Sequence, residues 1–522
     1  MQVTATGHAG LAVRSGDAMV LVDPWFSPFG AFDASWFVFP DNLAVLDTLD
    51  VPDAVVITHE HLDHLDAWYL AQLPAEVPVV IPSYPSPILR RKVAAAGRTV
   101  IVELADRERR EVAPGIGVRF VREESPMNHD AAVVLDTPDG NVVDLNDARI
   151  FPVQLREIRA ELGGTIDVLA LQGSGASWYP LVYDYPAERI EALCREKRAT
   201  KFSYVVRAVE VAEPRVVVPF AGPPCFLDPE LAWVNEQMTS GIFPDQRQVA
   251  DHLAAAGHDH AVVLLPGESL RMPDGALTRL ECWQGFWERD RSAYLADYAE
   301  RRRDEVAAVL DAHPDPDIDL FDAFVEHGTQ LLGCNAYCNE RIDMRVGFDV
   351  TGPGGGAWHI DFRPGREGVG RGLDDCGYVY TFASRWLPPI LAGEVPWEDF
   401  FLSLRFRARR DPDLYNDHLL GVLKFADANA LAAVEAYERS IDRSARITVA
   451  APDGRRWSVS RWCPHAGTDL RETGEVLVGA GPDGGDVLVC LAHHYRFDLG
   501  SGACSNGRCA PLEVTPLTGP AG

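Results

Sequence analysis

Apolar residues in the first half of the chain fall in short runs that stop abruptly on polar side chains. Val55-Val-Ile57 is too short for a helix and reads as a buried strand ending at Thr58. His59 and His61 come next, two residues apart, so in extended backbone they face the same side. Asp63 and His64 follow, where the pattern predicts entry into a helix over Leu65-Asp-Ala-Trp-Tyr-Leu70. A second apolar run, Ala131-Ala-Val-Val-Leu135, is preceded by Asn128-His129-Asp130, and a third strand ends through Val142-Val-Asp-Leu-Asn-Asp147. From Trp283 to Leu310 charge and helix formers predict helices, broken at Pro314-Asp-Pro-Asp317. Val346 to Phe425 is mixed, with strands around Gly352-Pro-Gly-Gly-Gly356 and then helices. That glycine run lacks the Lys-Ser/Thr ending and the following helix of a phosphate loop, and predicts a turn. Near the C-terminus, Ala445-Arg-Ile-Thr-Val-Ala450 and Arg456-Trp-Ser-Val-Ser460 alternate with the period of a strand around Pro452-Asp-Gly454. The sequence carries no internal repeat and no low-complexity segment.

At 522 residues the chain exceeds one ordinary core, so several domains are expected. A formal charge of −29 opposes nonspecific binding to nucleic acid or anionic lipid, both of which need clustered Lys and Arg. An anionic small substrate would need a local basic pocket. No run of about 20 apolar residues is present to span a bilayer, and the first residues lack a signal peptide's basic and apolar regions. The ten cysteines show no disulfide-framework spacing; Cys334 and Cys338 read as packed thiols on one predicted helix. A reducing, cytoplasmic setting is expected.

Four ligand-capable side chains within six positions, His59, His61, Asp63 and His64, are hard to explain as core histidines, and their spacing can divide ligands between two adjacent metals. Much later come Cys463-Pro-His465 and Cys490-Leu-Ala-His493. Two Cys-plus-His pairs are what a Rieske [2Fe–2S] cluster requires, thiolates on one iron and imidazoles on the other. The long gap between the pairs is filled by the turn-rich Gly479-Ala-Gly-Pro-Asp-Gly-Gly485.

Flanked by Arg461-Trp and by Ala466-Gly-Thr-Asp-Leu470, the second pattern resembles a Rieske domain of the oxygenase type. Strand-HxHxDH resembles the metallo-β-lactamase superfamily, as do Gly7-His-Ala-Gly-Leu11 and Met19-Val-Leu-Val-Asp23-Pro-Trp25. That resemblance implies an αββα sandwich with its site at the strand ends. Leu171-Gln-Gly-Ser-Gly-Ala-Ser-Trp-Tyr-Pro180, Val218-Pro-Phe-Ala-Gly222 and Leu265-Pro-Gly-Glu-Ser-Leu270 narrow the likeness to the CMP-N-acetylneuraminate hydroxylase family, which joins both domain types. Here the Rieske domain comes last, whereas in that family it comes first. The family also expects a histidine where this chain has Asp228; this residue is either a carboxylate ligand or the N-cap of a helix beginning at Pro229. The segment from Tyr380 to Gly393 resembles a sterol-carrier-type α/β domain.

The expected architecture is therefore α/β and multidomain. A metallo-β-lactamase-like domain covers 1–272, a helical and α+β middle domain 273–439, and an all-β Rieske domain 440–522. The resemblance implies His59, His61 and His129 on one metal, Asp63 and His64 on a second, joined by Asp228 if that residue is a ligand and not a cap, and Asp147 bridging them. Cys463, His465, Cys490 and His493 would hold the cluster. A hydrolase of this superfamily uses zinc to activate water and has no use for an electron carrier. The expectation is an iron-dependent oxygenase that takes electrons from an external reductase, ferredoxin or cytochrome and hydroxylates, or N-oxygenates, a small metabolite with O2. The alternative is a metal-dependent hydrolase with a regulatory cluster. A homo-oligomer is compatible with either.

Overall fold

The structure is a computed structural model describing residues 1–174, 177–465, 467–481, 483–492, 495–506 and 509–517. His493 lies outside the described residues. Two compact units are formed. The first comprises 1–123, 129–314 and 399–405; the second comprises 124–128, 315–398 and 406–522.

In the first unit the short apolar runs become strands buried on both faces. An eight-stranded sheet runs, in spatial order, Ala276–Thr278, Ser269–Arg271, Gln2–Gly7, Gly10–Ser15, Ala18–Val22, Ala54–Val56, Val79–Pro82 and Ile101–Leu104. From Ala18–Val22 to Ile101–Leu104 the neighbours are parallel, the pairing expected of continuous Val/Ile/Leu strands covered on both sides. A six-stranded sheet runs Val216–Phe220, Val168–Gln172, Gly140–Asp144, Ala131–Thr137, Ile116–Arg122 and Arg110–Ala113. One apolar cluster includes Val3, Val13, Val20 and Val56 of the first sheet with Phe120, Val133 and Val168 of the second. Two more clusters pack each sheet against helices, one with Leu89 and Val93 and the other with Val205 and Val209. This is the expected helix–sheet–sheet–helix layering. The first unit runs on through Pro314, so the helices Arg291–Arg301 and Arg303–Asp311 belong with it. Leu295, Tyr298 and Val306 pack there against Phe37, Phe39 and Cys225.

The second unit contains a five-stranded sheet ordered Gly368–Arg371, Gly356–Asp361, Arg345–Thr351, Cys376–Ala383 and Phe406–Arg410. The glycine run at 352–356 is the turn joining two of these strands. The helix expected to carry both Cys334 and Cys338 is broken at Asn335. One helix ends at Cys334, and Asn335 caps the next by accepting from the Cys338 amide at 2.9 Å. The C-terminal part is all-β, with two three-stranded sheets; the Arg446–Ala450 and Arg456–Ser460 hairpin lies in one of them. Among the described residues, no helix is long and apolar enough to cross a membrane.

Candidate metal centre and cluster site

The HxHxDH segment leaves the sheet at Val56 and turns through residues 59–64 before the short helix Ala67–Leu70. Asp66 caps that helix by accepting from the Tyr69 amide at 3.1 Å. Its other oxygen accepts from the Phe26 and Ser27 amides, both at 2.7 Å. The turn bearing the histidines is thus tied to the loop after Ala18–Val22.

His59, His61, Asp63 and His64 are all buried. Nε2 of His59 and Nδ1 of His61 converge at 2.9 Å, while the other nitrogen of His59 meets Thr58 Oγ1 at 2.9 Å. His64 Nδ1 lies 2.8 Å from Asp23 Oδ2. A carboxylate can only accept, so Nδ1 carries the proton and Nε2 is the basic nitrogen. That Nε2 is buried and has no hydrogen-bond partner; it faces Asp147 Oδ1 at 3.5 Å and Asp63 Oδ2 at 3.8 Å. Asp63 in turn accepts from His8 Nε2 at 3.0 Å.

Three groups of donor atoms lie mutually within 4.8 Å: His8, Asp63 and His64; Asp23, His59 and His64; and His59, His61 and Asp147. An orphaned imidazole nitrogen aimed at two carboxylates, inside a cluster of imidazole and carboxylate donors, fits one or two bound cations. The charged side chains also act on one another. Burial opposes a charge on His64, but Asp63, Asp147 and Asp23 outweigh it and hold the imidazole well above its usual range. Burial also pushes Asp63 and Asp147 upward, yet His64 foremost among the neighbouring imidazoles draws both below the usual carboxylate range. Asp144, at the end of its strand, goes the other way, driven well up by burial and then by Asp23.

His59, His61, Asp63, His64 and Asp147, all expected from the sequence, are thus brought together. His129 is buried and stacked on Tyr84 with ring centroids 4.7 Å apart, and belongs to none of the three groups. Asp228 also lies outside them. Its Oδ2 pairs with Arg405 Nη1 at 2.7 Å, and Oδ1 accepts from the Glu230 amide at 2.9 Å. No helix begins at Pro229; residues 229–231 form a turn and a 3-10 helix follows at Ala232–Glu236. His8 and Asp23 have no place in the ligand set expected from the sequence. Each stands at the end of a strand with positive φ, 48° and 42°, a conformation that only the structure shows.

In the second unit Cys463, Cys490 and His465 are buried. Burial, then the adjacent Cys490, pushes the Cys463 thiol well up. Two buried thiols side by side beside an imidazole suit a soft metal cluster that would take their protons. The His465 ring stacks on Tyr495 with centroids 4.0 Å apart, and its Nε2 lies 2.5 Å from Asp417 Oδ2. Tyr495 donates its hydroxyl to the same carboxylate. Asp417 begins a helix, Asp417–Phe425, whose N-cap Asn416 accepts from Leu419 N at 3.0 Å. Its carboxylate fixes the imidazole with Nδ1 as the remaining nitrogen for iron.

Two family models match the chain. A β-lactamase superfamily domain model matches residues 18–220, and a Rieske [2Fe-2S] domain model matches residues 424–516. These define the class: an oxidoreductase chain joining a β-lactamase-type metal site to a Rieske cluster. A protein of Mycobacterium tuberculosis (strain H37Rv), named as a Rieske 2Fe-2S iron-sulfur protein, is 31% identical over 97% of this chain and 98% of its own length. The chain belongs to that family of Rieske 2Fe-2S iron-sulfur proteins. The cytidine monophosphate-N-acetylneuraminic acid hydroxylase of Mus musculus is 21% identical over 80% of this chain and 72% of its own. Among solved structures, CmlA, a diiron β-hydroxylase from Streptomyces venezuelae, aligns over 53% of this chain and 54% of its own. It is 20% identical, with a TM-score of 0.36.

Proposed function

We propose that the protein is an oxygenase, using O2 and an external reductant to hydroxylate or N-oxygenate a small metabolite at the His59 site. The observation that carries this reading is one chain bearing both an imidazole–carboxylate metal site and a Cys/His cluster site. When bound, iron would supply oxygen chemistry at the first and the cluster would supply single electrons at the second. The named hydroxylase of Mus musculus supports the same reaction class.

In this reading His59, His61 and Asp147 hold one iron, with His129 beside them. Asp63 and His64 hold the second, and His8 takes the place expected of Asp228, whose carboxylate is committed to Arg405. Asp147 faces both groups through His64. Asp23 orients His64 from behind, and Gln172 orients Asp147 by donating to its Oδ1 at 2.7 Å. Cys463, His465, Cys490 and His493 hold the cluster. A ferredoxin or reductase serves as donor.

Anaerobic purification followed by iron and zinc analysis, with EPR of the reduced protein, tests this assignment. About two irons per chain are expected in the cluster, with further iron upstream. His493→Ala should lose the anisotropic cluster signal and spare the upstream metal; His61→Ala should do the reverse. Both should abolish reductant-dependent O2 consumption with substrate. Zinc upstream, with turnover independent of reductant, would make the protein a hydrolase.

A further inference from the structure

The chain has only four lysines, Lys92, Lys197, Lys201 and Lys424, among 48 basic residues. Lys92 pairs with Asp399 at 2.6 Å and Lys424 with Glu398 at 3.0 Å. The other two lie one turn apart on the long helix Ala187–Ala212, next to the loop that leaves strand Val168–Gln172. Lys197 is used by that loop: its ammonium donates to Ser177 Oγ at 2.5 Å and to the Tyr179 carbonyl at 3.0 Å.

Lys201 is placed differently. Its one hydrogen bond among the described residues is a long one, 3.5 Å to Gln172 Oε1, and it makes no ion pair within 4.0 Å. An ammonium has three donors, so among the described residues at least two have no acceptor. The residue as a whole is half-buried. The other face of Gln172 donates to Asp147, so the cation sits one side chain behind the metal centre. Desolvation lowers the Lys201 ammonium to about 8, against the pull of Asp147. A charge kept where its surroundings disfavour it is compensated when an anion arrives. In a chain of net charge −29, a compact ammonium beside the site is also what an anionic ligand would need to approach.

We propose that Lys201 anchors an oxyanion of the substrate, a carboxylate or a phosphate, on the Asp147 side of the metal centre. The inference rests on the oxygenase reading only in calling that ligand the substrate. The rival role is structural: Lys201 would merely steady Gln172, and through it Asp147.

The test is binding of inorganic phosphate and of acetate to the metal-loaded, full-length protein by calorimetry at low salt. It is run without reductant, so failure of oxygenation and failure of anion binding are read separately. The wild type should bind one of the two with a Kd below roughly 10 mM, and the preferred anion separates phosphate from carboxylate substrates. Lys201→Met should weaken that binding by about tenfold or more, as expected for a lost charge-assisted contact, while upstream metal content and the cluster spectrum stay unchanged. Lys201→Arg should largely restore it. No binding of either anion to the wild type, or equal affinity in Lys201→Met, overturns the proposal. Loss of upstream metal in Lys201→Met with anion affinity intact assigns the structural role instead.

Discussion

Asp23 and Asp417 act alike at two unrelated sites. Each lies against one nitrogen of a buried histidine, Asp23 accepting from His64 at 2.8 Å and Asp417 ion-paired with His465 at 2.5 Å, and so decides which nitrogen is left for metal. The carboxylate on His465 Nε2 also adds electron density to the ring, which favours the oxidised cluster. Asp417→Asn should therefore raise the cluster's midpoint potential, read by redox titration of its EPR signal, with the cluster still assembled. Loss of the cluster, rather than a shift, would mean that Asp417 serves only to hold the fold. Neither aspartate was legible as a partner in the sequence. Asp23 lies 41 positions from its histidine and Asp417 lies 48 from His465, with no local period linking either pair. The HxHxDH run was legible because its four ligand-type residues crowd into six consecutive positions after an apolar run, although residues 59–64 form a turn and not the extended backbone that the spacing suggested. Lys201 gave no signal either: only the fold shows that, among the described residues, Asp147 and the other carboxylates near it stay beyond ion-pair distance.

Among elements, the short helix Ala67–Leu70 matters more than its length suggests, because its cap reaches across to another loop. Asp66 accepts three amides, two from residues 26 and 27 and one from Tyr69. Asp66→Ala should lower unfolding stability by about 3 kcal/mol, the loss of several charge-assisted bonds to a buried carboxylate, with Asp66→Asn intermediate, measured by denaturant titration. The strand Gly356–Asp361 ends in a comparable anchor. Arg363 binds both oxygens of Asp361 and Arg345 binds one. Burial raises this carboxyl, but Arg363 first and then Arg345 outweigh it and bring it down to about 2. A carboxyl lowered on folding stabilises above its ordinary value of 3.8, and loses that contribution as pH falls toward 2. The thermal midpoint of the wild type should exceed that of Asp361→Asn at neutral pH, and the gap should narrow as the pH falls through this window. A gap that does not change with pH would remove the ion pairs as its source. At this scale the strands were readable from their apolar runs, whereas the break at Asn335 was not. Its cause is a cap, and a single Asn between helix formers does not announce one.

Across the whole molecule, the break read at Pro314-Asp-Pro-Asp317 lies where a segment of the first unit ends, whereas the domain boundaries expected from the sequence lie at 272 and 439, and the exchanged segments were hidden. Residues 399–405 come from the middle of the chain and join the first unit, bringing Arg405 to Asp228, with both side chains almost fully buried. Arg405→Met should strip Asp228 of its cation and cost about 3 to 5 kcal/mol, the usual penalty for orphaning a buried charge. Adding Asp228→Leu should recover part of that loss in a double-mutant cycle. If the two single variants instead summed without coupling, the pair would contribute nothing of its own.

The same pair sets a timetable for biosynthesis. Domains commonly complete themselves in the order in which they are translated, but here the carboxylate made at position 228 must wait until position 405 has cleared the ribosome. Nascent chains stalled after Pro314 should therefore be digested by protease faster than chains stalled well beyond Arg405, although both carry every upstream histidine. The metal-binding half is encoded first and finished late.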